Sequence, residues 1–256
     1  MQSVRLSIRA AGQIRHRRCL PVLRGPPGQQ ALLGSRAAGR LRRSYGLQQS
    51  RSTFGWLLWR RWLRLSLSPL QQQLASLLAH RPPQQGDTAG RLPAAVAIIL
   101  IPEPDSILLI RRAERPGDPW SGQIGFPGGR QHGDDADLQA TAVRETAEEV
   151  GLDLSAGTQI GQLDDLAPLT PTPVPVLVRP FVFALDLRPL LVPNPEVARV
   201  LWTPLAELRR PGSFRPTTLM VRGEPRTYPA YHLGSDIVWG LTERILTPLL
   251  GLLPSA

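Results

Sequence analysis

The chain has 256 residues, 42% of them hydrophobic, enough for one sizeable core, and a formal net charge of +10. Residues 1–86 hold fifteen arginines and no acid, whereas residues 87–256 hold fifteen arginines against twenty acids, so the basicity belongs to the N-terminal stretch and gives no ground for nucleic-acid binding by the rest. All thirty basic residues are arginine and the one cysteine is Cys19, which excludes a lysine nucleophile, an internal disulfide and a clustered cysteine zinc site.

No apolar run reaches the roughly 18 residues of a membrane span. A reducing compartment, the cytoplasm, is the default when cysteine is this scarce. Residues 1–66 form a basic, arginine-rich leader that ends in the mixed stretch Phe54-Gly55-Trp56-Leu57-Leu58-Trp59-Arg60-Arg61-Trp62. Three readings stay open for it: a disordered or spurious extension, a mitochondrial transit peptide, or a segment that lies on an anionic membrane or nucleic acid.

Residues 67–256 read as the folded domain. Ser68-Pro69 supplies an N-cap and a first-turn proline, and Leu70, Leu74, Leu77 and Leu78 follow at helical spacing up to Pro82-Pro83. Ala94 to Ile101 reads as a central strand, with Ser106 to Arg112 as its hairpin partner. Residues 117–129, rich in glycine and including Trp120 and Gln123, read as a loop where backbone can approach a ligand. Trp120 and Gln123 are candidates to stack on and hydrogen-bond a substrate.

A helix then carries Glu145, Glu148 and Glu149, which fall within an arc of roughly 100° on one face. Carboxylates that close repel unless a cation sits among them, and hard oxygen donors suit Mg²⁺ or Mn²⁺. Leu138, Ala142, Val143, Ala147 and Val150 are expected on the opposite, inward face, and Gly151 ends the helix. Further on, 159–166 and 180–187 read as strands, separated by the stiff proline-rich segment 168–175, a candidate rim for a cleft. A last helix is expected from about Asp236, with Ile237, Val238, Leu241, Ile245 and Leu249 inward and Pro248 straining its end.

Arg144-Glu145-Thr146-Ala147-Glu148-Glu149-Val150-Gly151-Leu152 resembles the end of a Nudix box, the signature of Mg²⁺-dependent pyrophosphohydrolases of nucleoside diphosphate derivatives. The resemblance implies an α/β Nudix fold, an α-β-α sandwich around a mixed sheet. It implies Glu148 and Glu149 as metal ligands, Glu145 as a ligand or a base acting through water, Gly129 as a carbonyl ligand, and Arg144 as the residue that holds the glutamates. Asp135 either caps the helix or reaches metal through water, and capping is the expectation from bare physics. Glu196, Asp164 and Asp165 are the remaining candidates for a base; His132 and His232 are expected to face solvent. Homodimers are common in the family, which by analogy allows one here.

Gly129 precedes Arg144 by fifteen positions, one more than in the usual box, with Asp135 where the box carries a glutamate. That expansion, with Leu108, Leu109, Arg112, Ala113, Gly122 and Phe126-Pro127-Gly128-Gly129, resembles the coenzyme A pyrophosphatase branch. The implied substrate is coenzyme A or a derivative; the alternatives are an ADP-sugar, NADH, or a domain that senses such a ligand without turnover. Two positions depart from the branch: Ile110 replaces a threonine and Asp118 replaces an arginine. Arg112 is a substrate-binding candidate, and Arg111 and Arg115 are the neighbours able to supply the charge lost at Asp118.

Overall fold

The computed structural model describes residues 67–118, 120–169, 174–221 and 223–254. The leader and residues 170–173 of the proline-rich segment lie outside them. Helix α1 (Pro69–Ala79) starts as its sequence requires: the Ser68 hydroxyl accepts from the Gln71 N–H and the Gln71 side chain accepts from the Ser68 N–H, a capping box contributing about 1 kcal/mol. The Gln71 amide is fully buried and also donates to Leu100 O and Leu185 O, at 3.2 and 3.0 Å. Leu74 and Leu78 are buried beside it, whereas Leu77 faces solvent, because only one stripe of so short a helix can touch the sheet.

The main sheet contains β1 (Leu92–Ile101), β2 (Ser106–Arg112), β3 (Ile124–Gly125), β4 (Gly128–Arg130), β5 (Thr158–Gln162), β6 (Val176–Ala184) and β7 (Val197–Pro204). β1 runs parallel to β6 and antiparallel to β2 and β4, which makes the sheet mixed. Alternation along β1 divides the core. Ile98 and Leu100 face α1 and the C-terminal helix, and Ala95, Ala97, Ile99 and Ile101 face helix α2 (Leu138–Val150).

Between its two central strands the sheet forks. β1 and β2 pair directly only at Leu100 with Ile107 and Ile101 with Ser106. Beyond that point β3 pairs with Ile110 and Arg111 of β2, β4 pairs with Ala94 to Val96 of β1, and the Ala97 N–H donates to Pro127 O. The glycine segment thus fills the fork as backbone, in contact with the two strands on either side.

The second half departs from its sequence reading in three places. β6 starts at Val176, so the proline-rich segment leads straight into a buried strand, and beyond Gln162 the segment up to Leu166 touches β6 through a bond from the Leu163 N–H to Pro180 O and an isolated bridge between Leu166 and Val178. Asp236–Trp239 is a strand, β10, and helix α4 (Leu241–Gly251) begins only after Gly240, whose φ of 68° breaks the run. Pro248 sits on the exposed face of α4, where the helix carries it through to Gly251. The long hairpin of β8 (Phe214–Val221) and β9 (Glu224–Leu233), which pairs with β10 in a three-stranded sheet, has no counterpart in the sequence reading. Its strands carry mostly exposed residues and prolines, Pro216 facing Pro229 in register, so neither the alternation nor the composition of a strand is visible. Helix α3 (Leu205–Leu208) joins β7 to this hairpin. Among the described residues no helix is long and apolar enough to cross a membrane.

Candidate active site

Helix α2 is fixed at both ends by local chemistry. Asp137 is its N-cap, accepting from the Ala140 N–H at 2.8 Å, and Gly151 closes it in the left-handed conformation. Asp135 therefore does not cap the helix. Its two oxygens instead accept from Arg144 Nε and Nη2, each at 2.9 Å, while Oδ2 also accepts from the His132 N–H and the Thr141 hydroxyl. The Arg144 guanidinium, aided by these donors, holds the Asp135 carboxyl far below the usual carboxylate range.

From this anchor Arg144 reaches along the helix. Its Nη1 donates to Glu145 at 2.9 Å and to Glu148 at 3.3 Å, and its Nη2 to the Arg130 carbonyl at 3.1 Å. One guanidinium thus ties the carboxylate face to the glycine strand β4. Ala147, expected inward, is exposed; Thr146 is buried in its stead, its hydroxyl donating to Ala142 O. The last turn has rolled so that Glu149 goes in.

Glu149 is 2% exposed. Its Oε2 accepts from the Gly128 N–H at 2.9 Å and its Oε1 lies 3.6 Å from Arg112 Nη1. Burial pushes this carboxyl up to about 7, with the Glu145 and Glu196 charges adding and the Gly128 N–H and Arg112 opposing. Glu148, by contrast, has a side chain 55% exposed. The glycines are required by contact. A Cβ at Gly128 would stand 2.3 Å from the Ala95 carbonyl oxygen, and one at Gly129 would stand 2.3 Å from Glu145 Oε1. Among the described residues no three carboxylate, histidine or cysteine side chains converge to hold a metal as they stand.

A cleft of about 640 Å³ opens at the fork. Its floor includes Ala94, Val96, Val176 and Val178, and it reaches Gly128, bonded to Glu149, and Gly129, packed against Glu145. Of the candidates from sequence, Arg112, Trp120, Gln123 and Gly129 line it. Trp120 does so while packing beside Ala94, Val176 and Val178. Arg115 is not among the lining residues: it pairs at 2.9 Å with Glu196, both about half exposed. Arg111 is bound to Asp236 at 2.7 Å, a carboxylate it shares with Arg199. Neither arginine replaces the charge missing at Asp118.

Asp118 itself pairs with Arg112 at 3.0 Å and accepts from the Trp120 N–H. Partial burial opposes its ionisation, but the Trp120 N–H and the Arg112 guanidinium hold its carboxyl below the usual range. Asp164 and Asp165 lie elsewhere. Asp165 forms two 2.8 Å bonds with Arg179 and accepts from the Gly86 N–H, and Asp164 takes Arg81 and the Gln84 N–H. They fasten the link between α1 and β1, a structural duty rather than a catalytic one. Sequence reasoning missed Tyr228, Trp239 and Met220, which line the cleft from β8–β10; Tyr228 and Trp239 stand with ring centroids 5.0 Å apart. Tyr228 and Trp239 carry no signal beyond being aromatic, and Met220 carries none.

A forked mixed sheet with a carboxylate-bearing helix across its glycine strand defines the class. The NUDIX domain model matches residues 91–221, and the chain belongs to that family. It is a Nudix hydrolase, similar to two proteins called uncharacterized Nudix hydrolase NudL. The one from Photorhabdus laumondii is 34% identical over 157 residues, 61% of this chain and 82% of that protein. The one from Cronobacter sakazakii is 32% identical over 172 residues, 66% and 86%. A solved MutT/nudix family protein from Enterococcus faecalis aligns at 17% identity and a TM-score of 0.44, over 74% of this chain and 71% of that one.

Proposed function

We propose that residues 67–256 form a metal-dependent pyrophosphohydrolase domain that cleaves the diphosphate of coenzyme A or a coenzyme A derivative. The observation that carries the reading is Glu149, a buried carboxylate bonded to Gly128 of the strand that lines the cleft. A carboxyl pushed up to about 7 by burial gains most from a nearby cation, and the donors around it are hard oxygens. Glu145, Glu148, Glu149 and the Gly129 carbonyl would hold Mg²⁺ or Mn²⁺, which would offset phosphoryl charge and lower the pKa of bound water.

The chain's own residues do the rest. Asp135 locks Arg144, and Arg144 holds Glu145, which lies against Gly129, and Glu148. With no side chain at 128 or 129, a diphosphate in the cleft would meet bare glycine backbone between it and these carboxylates. Arg112, whose Nε is buried without a partner among the described residues, has donor capacity left for a phosphate oxygen. Trp120 and Gln123 would contact the remainder of the substrate.

Asp118, an anion where the coenzyme A branch carries a cation, favours a second reading: another nucleoside diphosphate derivative, such as an ADP-sugar or NADH. A panel of coenzyme A, acyl-coenzyme A, ADP-ribose, NADH and diadenosine polyphosphates, with Mg²⁺ and Mn²⁺ and beside Glu149→Gln, tests both. Coenzyme A cleavage that depends on metal and on Glu149 is the expected result. Preferential cleavage of ADP-ribose or NADH would move the chain to the second reading, and no cleavage of any compound would end both.

A further inference from the structure

We propose that Arg130 is a specificity-determining residue that receives a phosphate group of the substrate in the cleft. The inference rests on the cleft being the substrate site.

Strand pairing sets where Arg130 points. In the β1–β4 register Arg130 is opposite Ala94, and Gly129 is opposite Ala95. Directly paired residues share a face of the sheet. Ala95 belongs to the cluster under helix α2, and a Cβ on Gly129 would accordingly meet Glu145. Ala94 belongs to the opposite cluster, with Val176, Val178 and Trp120, which forms the cleft floor. The Arg130 side chain thus stands on the cleft face, one residue beyond the glycine that touches the carboxylates.

Charge accounting singles it out. The described charged side chains lining the cleft are Arg112, Asp118 and Arg130. Arg112 and Asp118 are paired at 3.0 Å and largely cancel. Among the described residues the Arg130 guanidinium forms no ion pair and no hydrogen bond, and Arg130 is exposed. Its backbone, in contrast, is held by the β1 register and by the 3.1 Å bond from Arg144 to its carbonyl. A fixed backbone carrying an uncommitted planar fork of donors beside a cleft is suited to phosphate oxygens. It places the missing positive charge in the box itself rather than at position 118.

The full chain with Arg130→Ala, Arg130→Lys and, as a control outside the cleft, Arg115→Ala tests this. The side chain has no partner among the described residues to lose and the backbone bond from Arg144 survives substitution, so the variants should melt with the parent. KM and kcat would be measured on coenzyme A and dephospho-coenzyme A, or on whichever diphosphate the panel shows to be cleaved. Affinities for inorganic pyrophosphate and adenosine 3′,5′-bisphosphate would be measured by calorimetry. Arg130→Ala should raise KM roughly ten- to a hundredfold with kcat within about threefold, and Arg130→Lys should recover part of the loss. A loss on both coenzyme forms assigns the contact to the diphosphate; a loss on coenzyme A alone assigns it to the 3′-phosphate. Unchanged KM together with unchanged affinity for both anions overturns the proposal. The calorimetry decides it even if no member of the panel is cleaved, so its failure is separable from failure of the hydrolase reading.

Discussion

The cleft has two walls built by opposite rules. One comes from a single run, residues 124–151, whose glycine strand lines the cleft and is backed by Asp135, Arg144 and three glutamates held mainly by contacts inside that run. The other comes from β8–β10, whose Met220, Tyr228 and Trp239 reach the cleft only because a hairpin of mostly exposed residues folds back beside the fork. The first wall tolerates little change at Asp135, Arg144 and the glutamates, whose polar groups have named partners. The second contributes apolar surface, where substitution alters fit more than chemistry.

That contrast can be broken or sharpened by measurement. The largest effect is expected at Glu149. Replacement by Gln keeps the shape and removes the charge, and should lower kcat on the order of a thousandfold; a variant as active as the parent would sink the first wall's role. Gly129→Ala comes next. Its Cβ would overlap Glu145 Oε1 at 2.3 Å, and displacement of that carboxylate should cost about a hundredfold in kcat/KM with a loss of about 1–3 kcal/mol in stability.

Acidity gives a third test without substrate. The Glu149 carboxyl is raised by burial to about 7 in the folded protein, from 4.5, so the folded state holds a proton the unfolded chain has released. Its stabilising contribution is full below about 4.5 and is lost as pH rises through 7. Metal-free protein should therefore lose roughly 3 kcal/mol between those limits, seen as a falling Tm. Glu149→Gln should flatten the slope, and Mg²⁺ should reduce it in the parent. A parent slope unaffected by either would contradict burial of an ionisable group there.

On the second wall, Tyr228→Ala should lower kcat/KM about five- to tenfold, mostly through KM, with little change in Tm; a kcat loss as large as that of Glu149→Gln would erase the distinction between the walls. The smallest effect is expected for Arg115→Ala. Its pair with Glu196 is about half exposed, so stability should shift by less than about 1 kcal/mol and KM should stay within twofold.

Legibility followed the same division. Ser68-Pro69, the β1–β2 hairpin, the α2 carboxylates and Gly151 could be read because each is specified by neighbours a few residues away. Ala147 was misplaced because periodicity fixes spacing but not the last-turn roll that carries Glu149 inward. Local spacing offers Asp135 as a cap, but its hold on Arg144 spans nine residues and a nearer aspartate, Asp137, takes the cap. Asp236 looked like a helix start until Arg111 and Arg199 claimed it from distant strands.

The sequence by itself determined the reaction-bearing segment: glycines that need open backbone, and carboxylates at helical spacing that need a cation. Only the tertiary structure decided which charges remain available. Arg111, Arg112 and Arg115 are equally promising as residues, yet each has an anion beside it in the fold, and Arg130 has none among the described residues. Ion pairing depends on which strands lie side by side, and that is a property of the register rather than of the order of residues along the chain.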